Sequence, residues 1–251
     1  MFLPSAITNL VQALLLLGDW DAAEHELSQA MNSDGLADID LLPCYRAWLA
    51  ALRGDSAAQT MLAGLRGLRA SEDSQDIAII SVVEAFTALA RQQPQQVLRD
   101  ARATLADAET VGISYEYQRW AWPLAARAAF DLDDTAATGE LLAMLGSYQP
   151  GQLAPMLQAE RDLVRARLAA RDNDQAAASL AAAISGLREH STPYHLVHGL
   201  LAQAGYLTRL GDAAGAEAAI SKACDIAHRL RCQPLLDRAA DLRSARPPVQ
   251  A

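Results

Sequence analysis

The sequence predicts an all-α chain, a solenoid of about six helix pairs with a capping helix at its C-terminal end, and three observations carry that expectation. Alanine fills 53 of 251 positions. It has the strongest helix propensity, and its small side chain lets neighbouring helices approach closely. Aromatic residues make up only 5% and β-branched residues are sparse, which disfavours an extensive sheet. Turn signals recur at Gly18-Asp19, Gly54-Asp55, Gln92-Gln93-Pro94, Leu132-Asp133-Asp134, Asp172-Asn173-Asp174 and Gly211-Asp212, and their first residues are separated by 36, 38, 40, 40 and 39 positions. A fixed period of this length marks a repeat architecture.

Each turn separates the two helices of a pair. The first helices are expected over 3–17, 39–53, 75–91, 114–131, 154–170 and 193–210, and the second over 20–32, 56–70, 94–110, 134–147, 174–189 and 213–231. A last helix over 234–244 caps the final pair. Glycine ends a helix in the left-handed conformation at no steric cost, and the aspartate after it caps the free N–H groups of the next helix. Behind each turn comes a small residue such as Ala23, Ala58, Ala137 or Ala216. Four positions later stands a larger one, Leu27, Leu62, Leu141 or Ile220, and Ala30 and Ala223 follow three further on. That spacing keeps to one helix face and describes a packed seam. Breaks between pairs are expected at Asn32-Ser33-Asp34-Gly35, Ser71-Glu72-Asp73-Ser74, Gln149-Pro150-Gly151 and Ser191-Thr192-Pro193. Residues 1–245 read as one repeat domain without an internal boundary, and 246–251 as a disordered tail or linker stub.

The turn stretches Gly18-Asp19-Trp20-Asp21-Ala22-Ala23 and Leu210-Gly211-Asp212-Ala213-Ala214-Gly215-Ala216 resemble the turn and second-helix start of tetratricopeptide repeats. The resemblance implies a right-handed α–α superhelix, although the periods exceed the usual repeat. A narrower similarity runs from Gly151 to Leu242 and is carried by Pro155 to Asp162, Ala166-Arg167-Leu168-Ala169, Thr192-Pro193-Tyr194-His195-Leu196 and Ile226-Ala227-His228-Arg229-Leu230. These stretches look like the C-terminal repeat regions of bacterial AAA/STAND-type signalling ATPases, some linked to class III adenylate/guanylate cyclases and others to LuxR-type DNA-binding domains. The resemblance implies a sensor or partner-binding module that restrains or releases an attached ATPase, cyclase or DNA-binding domain. No Gly-x-x-x-x-Gly-Lys-Ser/Thr loop is present, and the only lysine, Lys222, follows Ile220-Ser221 on an expected helix.

Charge and cysteine content bound the function. The net charge is −9 and no cationic cluster is evident, so direct binding to nucleic acid or to an anionic membrane is not expected. Three cysteines without framework spacing suit a reducing cytoplasm, where we expect the chain to reside. We expect no catalytic centre, cofactor or metal. Cys224, His228 and Cys232 sit at spacings of four on one expected helix, which sets the outer two about 12 Å apart, too far for one tetrahedral zinc. His190, His195 and His198 surround Thr192-Pro193, and His195 is expected to serve the turn rather than proton transfer. Asp131, Asp133, Asp134, Asp172 and Asp174 lack a calcium-loop pattern and read as helix caps.

Tyr115, Tyr117, Trp120 and Trp122 concentrate aromatics before Pro123, suited either to an interface or to helix packing. In tetratricopeptide arrays the first helix of each pair lines the concave face. Projecting that register selects Trp48, Phe86, Arg119, Trp122, Asp162, His198 and Arg209 as partner-binding residues. The expected partner is a protein or peptide, or a covalently attached regulatory domain, and the alternative is a metabolite inducer held in the groove.

Overall fold

A computed structural model describes residues 3–33, 41–149, 151–172 and 176–244. All regular structure among these residues is helical. The chain begins with α1 (Leu3–Leu17), α2 (Trp20–Met31), α3 (Leu41–Arg53), α4 (Ala57–Gly64) and the single turn α5 (Arg66–Arg69). It continues through α6 (Ser74–Ala90), α7 (Pro94–Leu105), the single turn α8 (Ala108–Val111), α9 (Glu116–Asp131) and α10 (Thr135–Gly146). The last five are α11 (Pro155–Asp172), α12 (Ala177–His190), α13 (Pro193–Arg209), α14 (Ala213–Leu230) and α15 (Gln233–Ser244). The chain divides into two compact units, Met1–Leu157 and Gln158–Ala251, with the boundary inside α11. The sequence reading placed no boundary there.

Five of the expected turns share one geometry. Gly18, Gly54, Gln92, Asp133 and Gly211 all adopt positive φ, between 56° and 80°. In each, the next N–H reaches back to a carbonyl five residues earlier. Asp19 donates to Leu14 at 2.9 Å, Asp55 to Ala50 at 2.8 Å, Gln93 to Ala88 at 3.0 Å, Asp134 to Ala129 at 2.9 Å and Asp212 to Leu207 at 2.9 Å. This is the Schellman closure, which satisfies carbonyls that a helix end would otherwise leave unpaired. The aspartate that ends the closure then caps the following helix: Asp134 accepts from the Ala137 N–H at 2.9 Å and Asp212 from the Gly215 N–H at 2.8 Å. Gln93 lacks such a cap, and Pro94 opens α7 instead, where its missing N–H costs nothing. Of the turn expected at Asp172-Asn173-Asp174, Asn173 and Asp174 lie outside the described residues, as do Asp34, Gly35 and Pro150 of the expected breaks and the tail 246–251.

Gln92 and Asp133 hold the left-handed conformation with a side chain present, which is unfavourable for most residues other than glycine and less so for aspartate. Gln92→Gly and Asp133→Gly are each expected to raise stability by about 0.5–1 kcal/mol, read from urea unfolding midpoints. A loss of stability at either site would show that the side chain matters more than the backbone.

Behind the turns, the seam is buried. Ala23, Ala58, Val97, Ala137 and Ala216 are buried, as are Leu27, Leu62, Ala101, Leu141 and Ile220 four positions on. In the second unit the same spacing places Ala176 and Leu180 in the core. They pack with Leu163, Ala166, Ala170, Leu187 and Tyr206, contributed by α11, α12 and α13. Gly199 marks the closest approach there. A Cβ on it would come within 2.7 Å of the Leu187 side chain and 3.3 Å of Ile184, so glycine lets α13 nest on α12.

Two expected helices are shorter than their hydrophobic pattern suggests. The helix expected over 56–70 breaks at Leu65, which leaves helical geometry between Gly64 and Gly67. Two poor helix formers make the break inexpensive, and it turns both Leu65 and Leu68 into the core. The helix expected over 94–110 likewise ends at Leu105 and resumes as α8 before Gly112 at φ 90°. By contrast α9 runs unbroken through Pro123.

Candidate binding surface

The sequence-predicted groove residues separate by burial. Trp48, Phe86 and Trp122 are at most 1% exposed and belong to the core of the first unit, not to a concave lining. Trp48 packs against Tyr45, Phe86, Tyr117 and Trp120 with ring centroids 5.5–6.2 Å apart. Trp122 donates its indole N–H to the Leu141 carbonyl at 3.0 Å, tying α9 to α10. The physical reason lies in the first helices themselves. α6 carries Ile79, Ile80, Val82, Val83 and Phe86 around most of its circumference, and α3 and α9 are buried to a similar extent. A helix buried around most of its circumference keeps only a narrow, partly exposed strip, as at Glu84 on α6, and the three rings lie outside it. That signal was present in the sequence.

Arg119 is partly buried. In the second unit, His198 is 7% exposed and meets the Tyr194 ring edge-on at 4.8 Å. Arg209 donates to the Ala170 carbonyl at 2.6 Å and lies over the Tyr206 ring, joining α13 to α11. Asp162 is exposed and takes Arg161 at 3.2 Å and Arg165 at 3.8 Å. Of Tyr115, Tyr117, Trp120 and Trp122, only Tyr115 reaches the surface.

Thr192 caps α13: its hydroxyl accepts from the His195 N–H at 3.2 Å and lies 2.6 Å from His195 Nδ1, fixing that buried ring in the turn. Cys232 corrects the expected Cys224-His228-Cys232 row, because α14 ends at Leu230 and Arg231 turns left-handed at φ 53°. Burial pushes the Cys232 and Cys44 thiols up to about 12, which makes both inert at neutral pH. Among the described residues no group of three or more His, Cys, Asp or Glu is arranged to hold a metal. None of the described helices is long and apolar enough to cross a membrane.

Two other features carry polar chemistry in the first unit. One is an open groove of about 560 Å³ over α4 to α7, lined by Gln59, Arg69, Glu84, Arg91, Gln96 and Asp100 among others. Arg69 pairs with Glu84 at 2.5 Å, and Gln96 donates its amide to Asp100 at 2.6 Å. Partial burial raises both carboxyls above their ordinary range. Arg69 opposes the rise at Glu84, and the Gln96 hydrogen bond opposes it at Asp100. The groove presents carboxylates, amides and the exposed Arg91 side by side, suited to hydrogen bonding a polar chain. Sequence reasoning missed it. The available signal was Glu84, the only charged residue between Asp76 and Arg91, since a lone carboxylate in an apolar run needs a partner or a purpose.

The other feature is a hydroxyl cluster that joins three helices. The Gln12 amide on α1 donates to the Tyr45 hydroxyl on α3. Tyr45 in turn meets the Tyr117 hydroxyl at 3.2 Å and Glu116 Oε2 at 3.5 Å, both on α9. Burial drives Glu116 up to about 8, against the opposing charge of Arg119 and the Tyr45 hydrogen bond. Tyr45 and Tyr117 are raised well above the tyrosine range, again chiefly by burial. These groups hold one another and are packed inside, so the cluster reads as a structural clamp.

Comparison with protein-family models, with curated proteins and with solved structures finds no match to this chain. The functional reading therefore rests on the geometry.

Proposed function

We propose that this chain is a non-catalytic regulatory and protein-interaction scaffold, built as a right-handed superhelix of tetratricopeptide-like helix pairs. In this reading it is the sensor or partner-binding repeat module of a bacterial signalling ATPase, nucleotide cyclase or transcriptional regulator. The observation that supports it is the recurrence of one turn: five Schellman closures with the same backbone sign, each followed by a buried pair four positions apart, small then large in all but Val97 and Ala101. A unit repeated in that way stacks neighbour on neighbour and builds extended binding surfaces. The groove over α4 to α7 is then the place for a polar segment of the partner, with Glu84, Asp100 and the glutamine amides holding its backbone and side chains.

A second reading, a metabolite sensor, is favoured by the groove's size. Its volume of about 560 Å³ falls within the range of small-molecule sites. Binding of a peptide array and of a metabolite panel, the first by fluorescence polarisation and the second by thermal shift, separates the two. The scaffold reading expects peptide binders whose affinity falls about tenfold in the Glu84→Gln/Asp100→Asn variant. The sensor reading expects a metabolite that raises the melting temperature, since a ligand of the folded state alone stabilises it. Peptide binding indifferent to both substitutions would remove the groove from the scaffold reading.

A further inference from the structure

The helix α1 presents two unlike faces. Thr8, Val11 and Leu15 point inward and are 7%, 0% and 2% exposed. On the opposite side Ala6, Leu10, Ala13 and Leu17 are exposed, Leu10 by 43% and Leu17 by 73%. Their spacing of four, three and four is that of a helix-pairing seam. The whole of α1, LPSAITNLVQALLLL, contains no charged residue. The helices α2 and α7 of the same unit differ. The exposed positions of α2 include Asp21, His25 and Gln29, and those of α7 include Gln95, Arg99 and Arg102.

We infer that this stripe is a self-docking surface, through which two copies of the chain pair α1 against α1 in antiparallel fashion. The stripe is its own complement. Run against itself about a twofold axis, it sets Leu17 of one copy on Ala6 of the other and Leu10 on Ala13, so every large side chain meets a small one. Self-complementarity is the condition that a twofold interface must satisfy, and an unrelated partner has no need of it. Charge favours the same occupant. Each copy carries −9, and two such chains repel wherever charged surfaces meet. A helix free of charge is the place where they approach at least cost. A single helix face buries less than the roughly 800 Å² per partner of a standard interface, so the association is reversible and depends on concentration. This inference does not depend on the proposed scaffold function.

Sedimentation equilibrium on the full chain, from low to high micromolar concentration and at two salt levels, tests it. The expected result is a monomer–dimer equilibrium that tightens with added salt, because salt screens the mutual repulsion and leaves the apolar seam intact. Leu10→Glu/Leu17→Glu should weaken dimerisation by at least about tenfold. Leu10→Ala/Leu17→Ala, which keeps the helix propensity, should weaken it in the same direction. Gln95→Ala at an exposed position of α7, which leaves the net charge unchanged, should not weaken it. Circular dichroism melts check that the leucine variants remain folded, as exposed positions allow. A wild-type chain that stays monomeric throughout, as it would if the stripe served another partner or none, overturns the inference. So does a dimer that survives both leucine variants.

Discussion

Replacing Trp48 by alanine is expected to destabilise the first unit by about 3–5 kcal/mol. The ring is wholly buried, and four aromatic neighbours from α3, α6 and α9 surround it. With packing on all sides the cavity cannot collapse, so the variant loses both the transfer free energy of the indole and the contacts of its lining. The indole N–H adds a second, less usual expectation. It is buried and finds no hydrogen-bond partner among the described residues, so part of what the ring contributes is offset by an unpaired donor. Trp48→Phe removes that donor along with some area, and its cost is expected to be only on the order of 1 kcal/mol. Urea unfolding followed by tryptophan fluorescence measures both variants. Because the chain has two units, the transition to follow is that of Met1–Leu157, which carries all four tryptophans: Trp20, Trp48, Trp120 and Trp122. Near-equal losses for alanine and phenylalanine would show that the indole is held by a hydrogen bond after all.

The same residue shows where the sequence is legible and where it is not. The turns at Gly18, Gly54 and Gly211 could be read because glycine and the aspartate after it act locally, through their own backbone and side-chain chemistry. Helix ends near them fell within a residue or two of expectation. The turns at Gln92 and Asp133 could be placed by Pro94, by the paired aspartates and by the period, but the Gln92 side chain does not announce the positive φ that it adopts, whereas aspartate is among the few that tolerate it. Gly64 and Gly67 permit the break at Leu65, but its place and that of the break after Leu105 also depend on which residues neighbouring helices pull inward, which no local rule supplies. The binding face failed for a related reason. Projecting a concave register onto Trp48, Phe86 and Trp122 assumed that these positions face the free side of the first helices, whereas the buried residues of α3, α6 and α9 take up most of each helix and include all three. Gln96 and Asp100 meet as i,i+4 neighbours on α7, but the break before α5 brings Arg69 to Glu84, and the turn between α6 and α7 sets the two pairs in one groove. A one-dimensional period records neither.

Glu116→Gln is expected to stabilise the first unit at alkaline pH and to flatten its dependence on pH. Burial holds the native Glu116 carboxyl near 8, whereas the unfolded chain releases that proton near its ordinary 4.5. Between these values the native state binds more protons than the unfolded state, so stability falls as pH rises from about 4.5 and levels off above about 8. Partial access of water at this residue limits the loss to about 2 kcal/mol, less than the full shift would imply. Glutamine keeps the shape and the hydrogen bond from Tyr45 but has no proton to lose. Its gain over the wild type is therefore small at pH 5 and largest at pH 9, where the native carboxylate must be held beside the Tyr45 and Tyr117 hydroxyls with Arg119 as the nearby cation. Tyr45→Phe is expected to act oppositely at high pH. It removes the donor to Glu116 and leaves the Gln12 amide without its acceptor, so its cost grows as Glu116 ionises. Urea midpoints of the three proteins measured across that pH range decide the matter. A wild-type slope that persists unchanged in Glu116→Gln would mean that another group carries the titration and that Glu116 is ionised in the native clamp.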